Sequence, residues 1–278
     1  MISVVIATYR KPDNLCMVLL ALARQSVLPD EVLVADDGSP ADLQEKLASM
    51  AAQLPFRLVH VWQPDEGFRA ARSRNNAIHV ARSEMLAFLD QDTLPHRTWL
   101  ETHSRHVSQR NVGIGYILRL TERQSAGLNQ DTVRSGNFES LHDASERKRL
   151  DGAQRKCAFY SLLRRFGRGV KGRPAFASGN ASAWVADLTR VNGFDEEYVG
   201  WGQEDDDLGW RLYLAGVQPR ALVNKALVSH IAHPARPASE WRNGPNIERY
   251  RRKRTTFVCA KGLRDHPHPD VRATVLRA

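Results

Sequence analysis

The sequence predicts an α/β protein: a doubly wound, mostly parallel central sheet with flanking helices and a small C-terminal extension. Three observations carry that expectation. The first third holds short apolar runs that are continuous rather than alternating, as in strands buried on both faces. Stretches of helical spacing separate them, which implies right-handed βαβ crossovers. Three of the runs end in polar clusters, and open parallel sheets bind ligands beyond the carboxyl ends of their strands.

Taken in order, "ISVVIATY" is a β-branched run suited to a buried strand. Pro12 then fits a first helical turn, and Leu15, Val18, Leu19 and Leu22 fall at i, i+3, i+4 and i+7 on one helix face. "EVLVADDGS", "FRLVHVWQ" and "MLAFLDQD" read as the second, third and fourth strands, with helices near 41–52 and 68–82 between them. The polar ends are Thr8-Tyr9-Arg10, Asp36-Asp37-Gly38-Ser39 and Asp90-Gln91-Asp92, which would line one crevice. Asp-Gly is also an ordinary turn signal. Asp90 and Asp92, two apart in an extended segment, would point the same way and could address one hard cation.

Composition narrows the class. At 278 residues, 42% hydrophobic and 26% charged, the chain can bury a full core as one elaborated domain. No apolar run approaches the roughly 18 residues of a spanning helix, and "MISVVIATYRKPDN" lacks the basic region of a signal peptide, so a cytosolic protein is expected. Cys16, Cys157 and Cys259 are far apart and in no metal-ligand spacing, which suits buried thiols in a reduced compartment. Residues 134–173 and 236–278 each carry a net +7 within a formal total of +9, leaving −5 elsewhere. Two basic segments on an acidic framework suit an anionic partner or, equally, solvated surface. Neither GxGxxG nor GxxxxGK[ST] follows the first strand, which argues against dehydrogenase and nucleoside-triphosphatase readings.

The stretch "GWGQEDDDLGW" sets Glu204, Asp205, Asp206 and Asp207 side by side. Leu208, Leu212 and Ala215 mark a helix ending before Gly216, so the four acids occupy its first turn, where negative charge is favourable by roughly 0.3 to 1 kcal/mol each. Capping accounts for one or two of them. Because successive helical side chains turn by about 100°, the four must diverge to different partners.

"VVIATYRKPDNL", "VLVADDGS" and "RNNAIHVARSEMLAFLDQD" together resemble the family 2 glycosyltransferases, which have a Rossmann-like GT-A fold. "SGNASAWVADLTRVNGFDEEYVGWGQEDDDLGWRL" resembles the C-terminal segment of β1,4-galactosyltransferases and chondroitin-polymerase-type enzymes. The likeness covers residues 2–100 and 176–232 and does not reach 121–172 or the chain beyond 235. It implies a glycosyltransferase domain over 1–235, divided into a nucleotide-sugar-binding half (1–120), a variable basic insertion (121–172) and an acceptor and catalytic half (173–235). A basic tail, 236–278, follows.

The resemblance also implies roles, and transfer chemistry makes them sensible: the leaving diphosphate needs its charge neutralised and the acceptor hydroxyl needs a base. Asp92 corresponds to the family's metal-binding aspartate, with Asp90 contacting the ribose or the metal through water. His230 completes a Mn²⁺ or Mg²⁺ site, and His233 stands nearby as a competitor. Thr8, Tyr9 and Gln91 would line the nucleotide site, Asp37 would accept a hydrogen bond from uracil, and Arg74 and, more weakly, Arg69 would contact nucleotide or phosphate. For both arginines the plain alternative is an exposed helix face. Asp205 becomes the general base, with Trp201, Glu204 and Asp206 holding the acceptor. The family's Pro-Thr-Tyr-Asn reads Ala7-Thr8-Tyr9-Arg10 here, so contacts made by that asparagine do not carry over.

The resulting expectation is an inverting, metal-dependent enzyme moving a sugar from a UDP-linked donor to a glycan or lipid-linked saccharide in surface-polysaccharide or lipopolysaccharide synthesis, without nucleic acid. A sugar nucleotidylyltransferase is the first alternative, but the Gly-rich phosphate loop it needs is missing after strand one. A non-catalytic polyanion- or membrane-binding protein is the second, and it leaves the acidic run unexplained. The cluster Arg249, Arg251, Arg252, Lys253 and Arg254 beside Tyr250, Phe257 and Val258 would suit an anionic inner membrane face, or else a helix packed on the domain.

Overall fold

The computed structural model describes every residue except 143, 166–175, 235–241, 243 and 253–255, with the backbone alone for 164 and 165. The predicted alternation is present: β1 (Ile2–Thr8), α1 (Pro12–Leu22), β2 (Glu31–Asp36), α2 (Ala41–Ala51), β3 (Arg57–Trp62), α3 (Ala70–Val80) and β4 (Met85–Asp90). These four strands are parallel in the order β3-β2-β1-β4. α1 starts at Pro12, whose fixed φ suits a first turn, after Arg10 and Lys11 bend the chain at φ of 59° and 53°.

Period-two geometry sends β1 side chains to two layers. Val4 and Ile6 pack with Leu15 and Leu19 of α1 and Leu43 and Leu47 of α2, while Val5 packs on the opposite face with Ala71 and Ile78 of α3. Both faces are therefore apolar, which is why the strand sequences run without alternation.

The second half widens the sheet. β5 (Thr93–Pro95), α4 (Trp99–His106), β6 (Asn111–Ile114) and β7 (Tyr116–Arg119) precede the small helices α5 (Glu122–Ala126) and α6 (Gln130–Ser135) and the long α7 (Ala144–Arg165). Then come β8 (Asn180–Trp184), α8 (Val185–Arg190), α9 (Glu204–Leu214), β9 (Gln218–Ala221), β10 (Leu227–His230), α10 (Pro245–Arg251) and β11 (Arg272–Arg277). The eight-stranded sheet runs β11-β3-β2-β1-β4-β8-β6-β9, and β8 lies antiparallel between β4 and β6. A second sheet, β5-β10-β7, sets His230 opposite Thr93.

Residues 236–278, expected as a tail beyond the domain, return to it wherever they are described. β11 pairs antiparallel with β3 and covers that sheet edge. Arg249 of α10 donates to Asp195 at 2.8 Å, pairs with Glu197 and lies 5.5 Å over the Tyr198 ring. Phe257 packs into the core face that holds α3 and α9, beneath Arg190. The packed-helix alternative therefore fits the cluster better than a membrane face: Arg249 and Phe257 are spent on the protein. Arg251 and Arg252 are exposed, and Lys253 and Arg254 lie outside the described residues. No described helix is long and apolar enough to cross a membrane. Cys16 and Cys259 are buried and Cys157 is half-buried, all three as free thiols.

Candidate active site

The carboxyl ends of β1, β2 and β4 open into a cleft of about 570 Å³, a volume usual for small-molecule sites. At one end Thr8 and Tyr9 meet Gln91. The Gln91 carbonyl oxygen accepts from the Thr8 hydroxyl at 2.6 Å and the Tyr9 amide at 3.1 Å, and its NH₂ donates to the Tyr9 carbonyl at 3.2 Å. Gln91 thus staples the ends of two neighbouring strands. Asp37 is buried and accepts from Gln63 at 2.5 Å and from the Arg69 amide at 2.7 Å; burial pushes its carboxyl above the usual range against those two bonds. Gly38 sits at φ 95°, where a Cβ would lie 2.5 Å from Asp65 backbone, so Asp37-Gly38 forms the tight turn its sequence signals while Asp37 lines the cleft. Arg69 departs from expectation. Its guanidinium turns to Glu66 and to the Pro64 carbonyl at 2.6 Å, and only its backbone N–H serves Asp37.

Arg74 lies on no exposed face: it is 6% exposed and sits among three carboxylates, 3.2 Å from Asp90, 3.3 Å from Glu204 and 3.8 Å from Asp205, with the Phe194 ring 5.5 Å beneath it. Burial opposes its charge, but Asp205, Asp90 and Glu204 outweigh burial and raise its pKa. Asp90 and Asp92 do not point together as an extended segment would have them. The chain turns after Asp90, where the Thr93 hydroxyl accepts from the Asp90 N–H at 3.0 Å and donates to the Asp90 carbonyl at 2.8 Å, and the two carboxylates part. Asp90 goes to Arg74. Asp92 goes to two histidines, 3.6 Å from Nε2 of His230 and 3.4 Å from Nε2 of His233.

Those three residues offer ligand atoms all within 4.8 Å of one another, so His233 stands in one group with Asp92 and His230, and Asp90 lies outside that group. A carboxylate with two imidazoles is a donor set that a divalent cation can take. The β5–β10 pairing makes this group, because His230 lies opposite Thr93, one residue past Asp92. Burial lowers the His230 pKa, partly offset by Asp92, in the direction that favours the neutral imidazole a metal requires.

The acidic run diverges as helical geometry requires. Glu204 and Asp205 line the cleft with Trp201, whereas Asp206 is exposed on the outer side of the first turn and outside the cleft wall. Asp207 is fully buried, 2.6 Å from Nε of Arg211 and bonded by the Tyr198 hydroxyl, so it holds the helix in the core. Burial, reinforced by Asp205, raises Glu204 to about 7 although Arg74 pulls it down. Asp205 is also raised by burial, against Arg74. Its Oδ2 accepts from the Ser178 amide and hydroxyl, both at 2.9 Å, while its buried Oδ1 has no hydrogen-bond partner.

Several contributors escaped the sequence reading. Ser178 orients Asp205, and it lies inside the quoted "SGN". Next to it, Gly179 lets the chain pass Asp90, since a Cβ there would meet Asp90 Oδ2 at 2.7 Å. Lys11 and Arg119 bring positive charge to the cleft wall, but no motif marks them. Asn246 of α10 is 5% exposed and donates to the carbonyls of Gly200 and Gly202, at 3.3 and 3.0 Å, bracing the loop that carries Trp201.

Comparison with known proteins gives a concordant result. The family model described as Glycosyl transferase family 2 matches residues 3–166, and one described as N-terminal domain of galactosyltransferase matches 163–234, so together they also span 121–172. Validoxylamine A glucosyltransferase from Streptomyces hygroscopicus subsp. limoneus is 30% identical over 226 residues, covering 78% of this chain and 49% of that protein. Chondroitin synthase from Escherichia coli is 26% identical over 249 residues, covering 84% of this chain and 35% of that protein. The chain thus spans half or less of the length of these relatives. Among solved structures, the mannosyltransferase PcManGT from Pyrobaculum calidifontis, in complex with GDP-Man and Mn²⁺, superposes with a TM-score of 0.56 at 18% identity over 87% of this chain and 59% of that one. S. aureus TarS 1-349 in complex with UDP gives 0.54 at 18% identity over 84% and 61%.

Proposed function

The chain belongs to glycosyl transferase family 2, with a GT-A fold, and we propose that it is an inverting enzyme transferring a sugar from a UDP-linked donor to a glycan or lipid-linked saccharide in surface-polysaccharide synthesis. One observation supports this reading above others: a metal-compatible Asp92–His230–His233 group and Asp205, a carboxylate with one oxygen that accepts no hydrogen bond, line the same cleft. Asp205 takes the proton from the acceptor hydroxyl, whose oxygen attacks the anomeric carbon. The bond to the diphosphate breaks on the opposite side, which inverts the centre. Thr8, Tyr9 and Asp37 hold the nucleotide, and Lys11, Arg74 and Arg119 add positive charge along the cleft. Trp201 offers the acceptor an aromatic face, and Glu204, rather than the outward Asp206, is the neighbour placed to hold its hydroxyls. Asp92, His230 and His233 would hold a divalent cation, which would supply positive charge against the departing diphosphate.

Calorimetric titration with UDP tests the metal site. Affinity is expected to fall at least tenfold when Mn²⁺ is replaced by EDTA, and Asp92→Asn in Mn²⁺ should reproduce that fall. Equal affinity in all three conditions removes the metal from the reading. Asn246→Ala addresses the loop instead. It should raise acceptor KM several-fold while UDP affinity holds, because two carbonyl contacts beside Trp201 are lost and the donor pocket is untouched. Steady-state kinetics at saturating donor measures the split.

A further inference from the structure

A second ligand cluster lies outside the cleft. Glu196 follows α8 in the loop leading to α9, and His266 and His268 precede β11. Glu196 Oε1 is 2.6 Å from Nε2 of His266, its Oε2 is 3.2 Å from Nε2 of His268, and the three ligand atoms lie within 4.8 Å of one another. The Glu196 and His266 side chains are each 1% exposed, and that of His268 is 15% exposed. A carboxylate buried this deeply ordinarily has a permanent cation beside it. Among the described residues Glu196 has ion-pair contacts with these two histidines alone, and nearby Arg72 is held by Asp270 at 2.5 Å.

We propose that Glu196, His266 and His268 form a zinc site that fastens the segment after α10 to the loop entering α9. The donor set is two imidazoles and one carboxylate, which zinc takes with water or one further ligand in the fourth position. Asn75 provides the outer support such sites use: its NH₂ donates to Glu196 Oε1 and to the Phe194 carbonyl, both at 2.8 Å, fixing the carboxylate. Glu196 lies 70 and 72 residues before the two histidines, so a bound ion ties the returning C-terminal segment to the loop that carries Trp201.

The test separates this site from the cleft. In the full chain carrying Asp92→Asn, His230→Ala and His233→Ala, equilibration with Zn²⁺ followed by dialysis is expected to leave a single zinc per chain by elemental analysis, with a raised melting temperature. Adding Glu196→Gln should abolish both. His268→Cys in the same background should keep binding and, with Co²⁺ in place of Zn²⁺, show a thiolate-to-metal charge-transfer band, a signature that a merely structural histidine cannot produce. The proposal is overturned if the background variant retains no zinc, if Glu196→Gln retains as much, or if the cysteine variant binds Co²⁺ without that band.

Discussion

Asp205→Asn is expected to lower sugar transfer by about 10²-fold or more while leaving UDP affinity nearly unchanged. The amide keeps the shape of the carboxylate, and its oxygen still accepts from the Ser178 amide and hydroxyl, so the site stays assembled. What disappears is the basicity of a buried oxygen that accepts no hydrogen bond. The wild-type pH profile should agree. Burial raises Asp205 and, with Asp205, raises Glu204, so turnover should fall on the acid side at a higher pH than an ordinary carboxylate would give. Single-turnover transfer and UDP calorimetry on the same preparation decide the matter. Transfer near the wild-type rate would reassign the base, and Glu204 is the next residue to examine.

Arg74→Met should cost up to about 3 kcal/mol of stability, the low end for a buried ion pair, because it leaves buried Glu204 and the partly exposed Asp90 and Asp205 without their shared cation. The pH dependence distinguishes this from a simple packing loss. Glu204 already stands at about 7 against an ordinary 4.5, and without Arg74 all three carboxyls move further up. A group with a raised folded pKa stabilises fully below its ordinary value and loses that contribution as pH rises through the folded value. The deficit of the variant should therefore be small at pH 4 and grow steadily to pH 8. Arg74→Lys should recover part of it, since a point charge reaches one carboxylate where the guanidinium reaches Asp90 and Glu204 together. Denaturant melts across the pH range measure both. A deficit independent of pH would mean that the cation matters for its volume alone.

Sequence reading succeeded where a feature depends on neighbours in the chain. The four parallel strands and their helices follow from continuous apolar runs and helical spacing, because burial on both faces and a 3.6-residue period leave local marks. The divergence of Glu204 to Asp207 follows from helical rotation, and the buried Asp207–Arg211 pair is an i, i+4 contact of the same kind. Asp90 and Asp92 show the limit. Two residues apart read as one cation site, yet a turn after β4 sends one to α3 and the other to β10, sixteen residues back and well over a hundred residues on.

Chemistry and order along the chain thus determined which residue types could act: carboxylates at strand ends, an acidic first turn, histidines near the end of the domain. Tertiary structure alone decided their partners. His233 enters the ligand group through the β5–β10 pairing, Arg69 leaves the cleft for Glu66, Ser178 takes hold of Asp205, and β11 returns to cover β3. Each of these is a choice of direction or of long-range pairing. A side chain's direction past a strand end is set by the turn that follows and by whatever packs against it, and a short half-exposed strand such as β11 finds its place only when an open sheet edge is there to receive it.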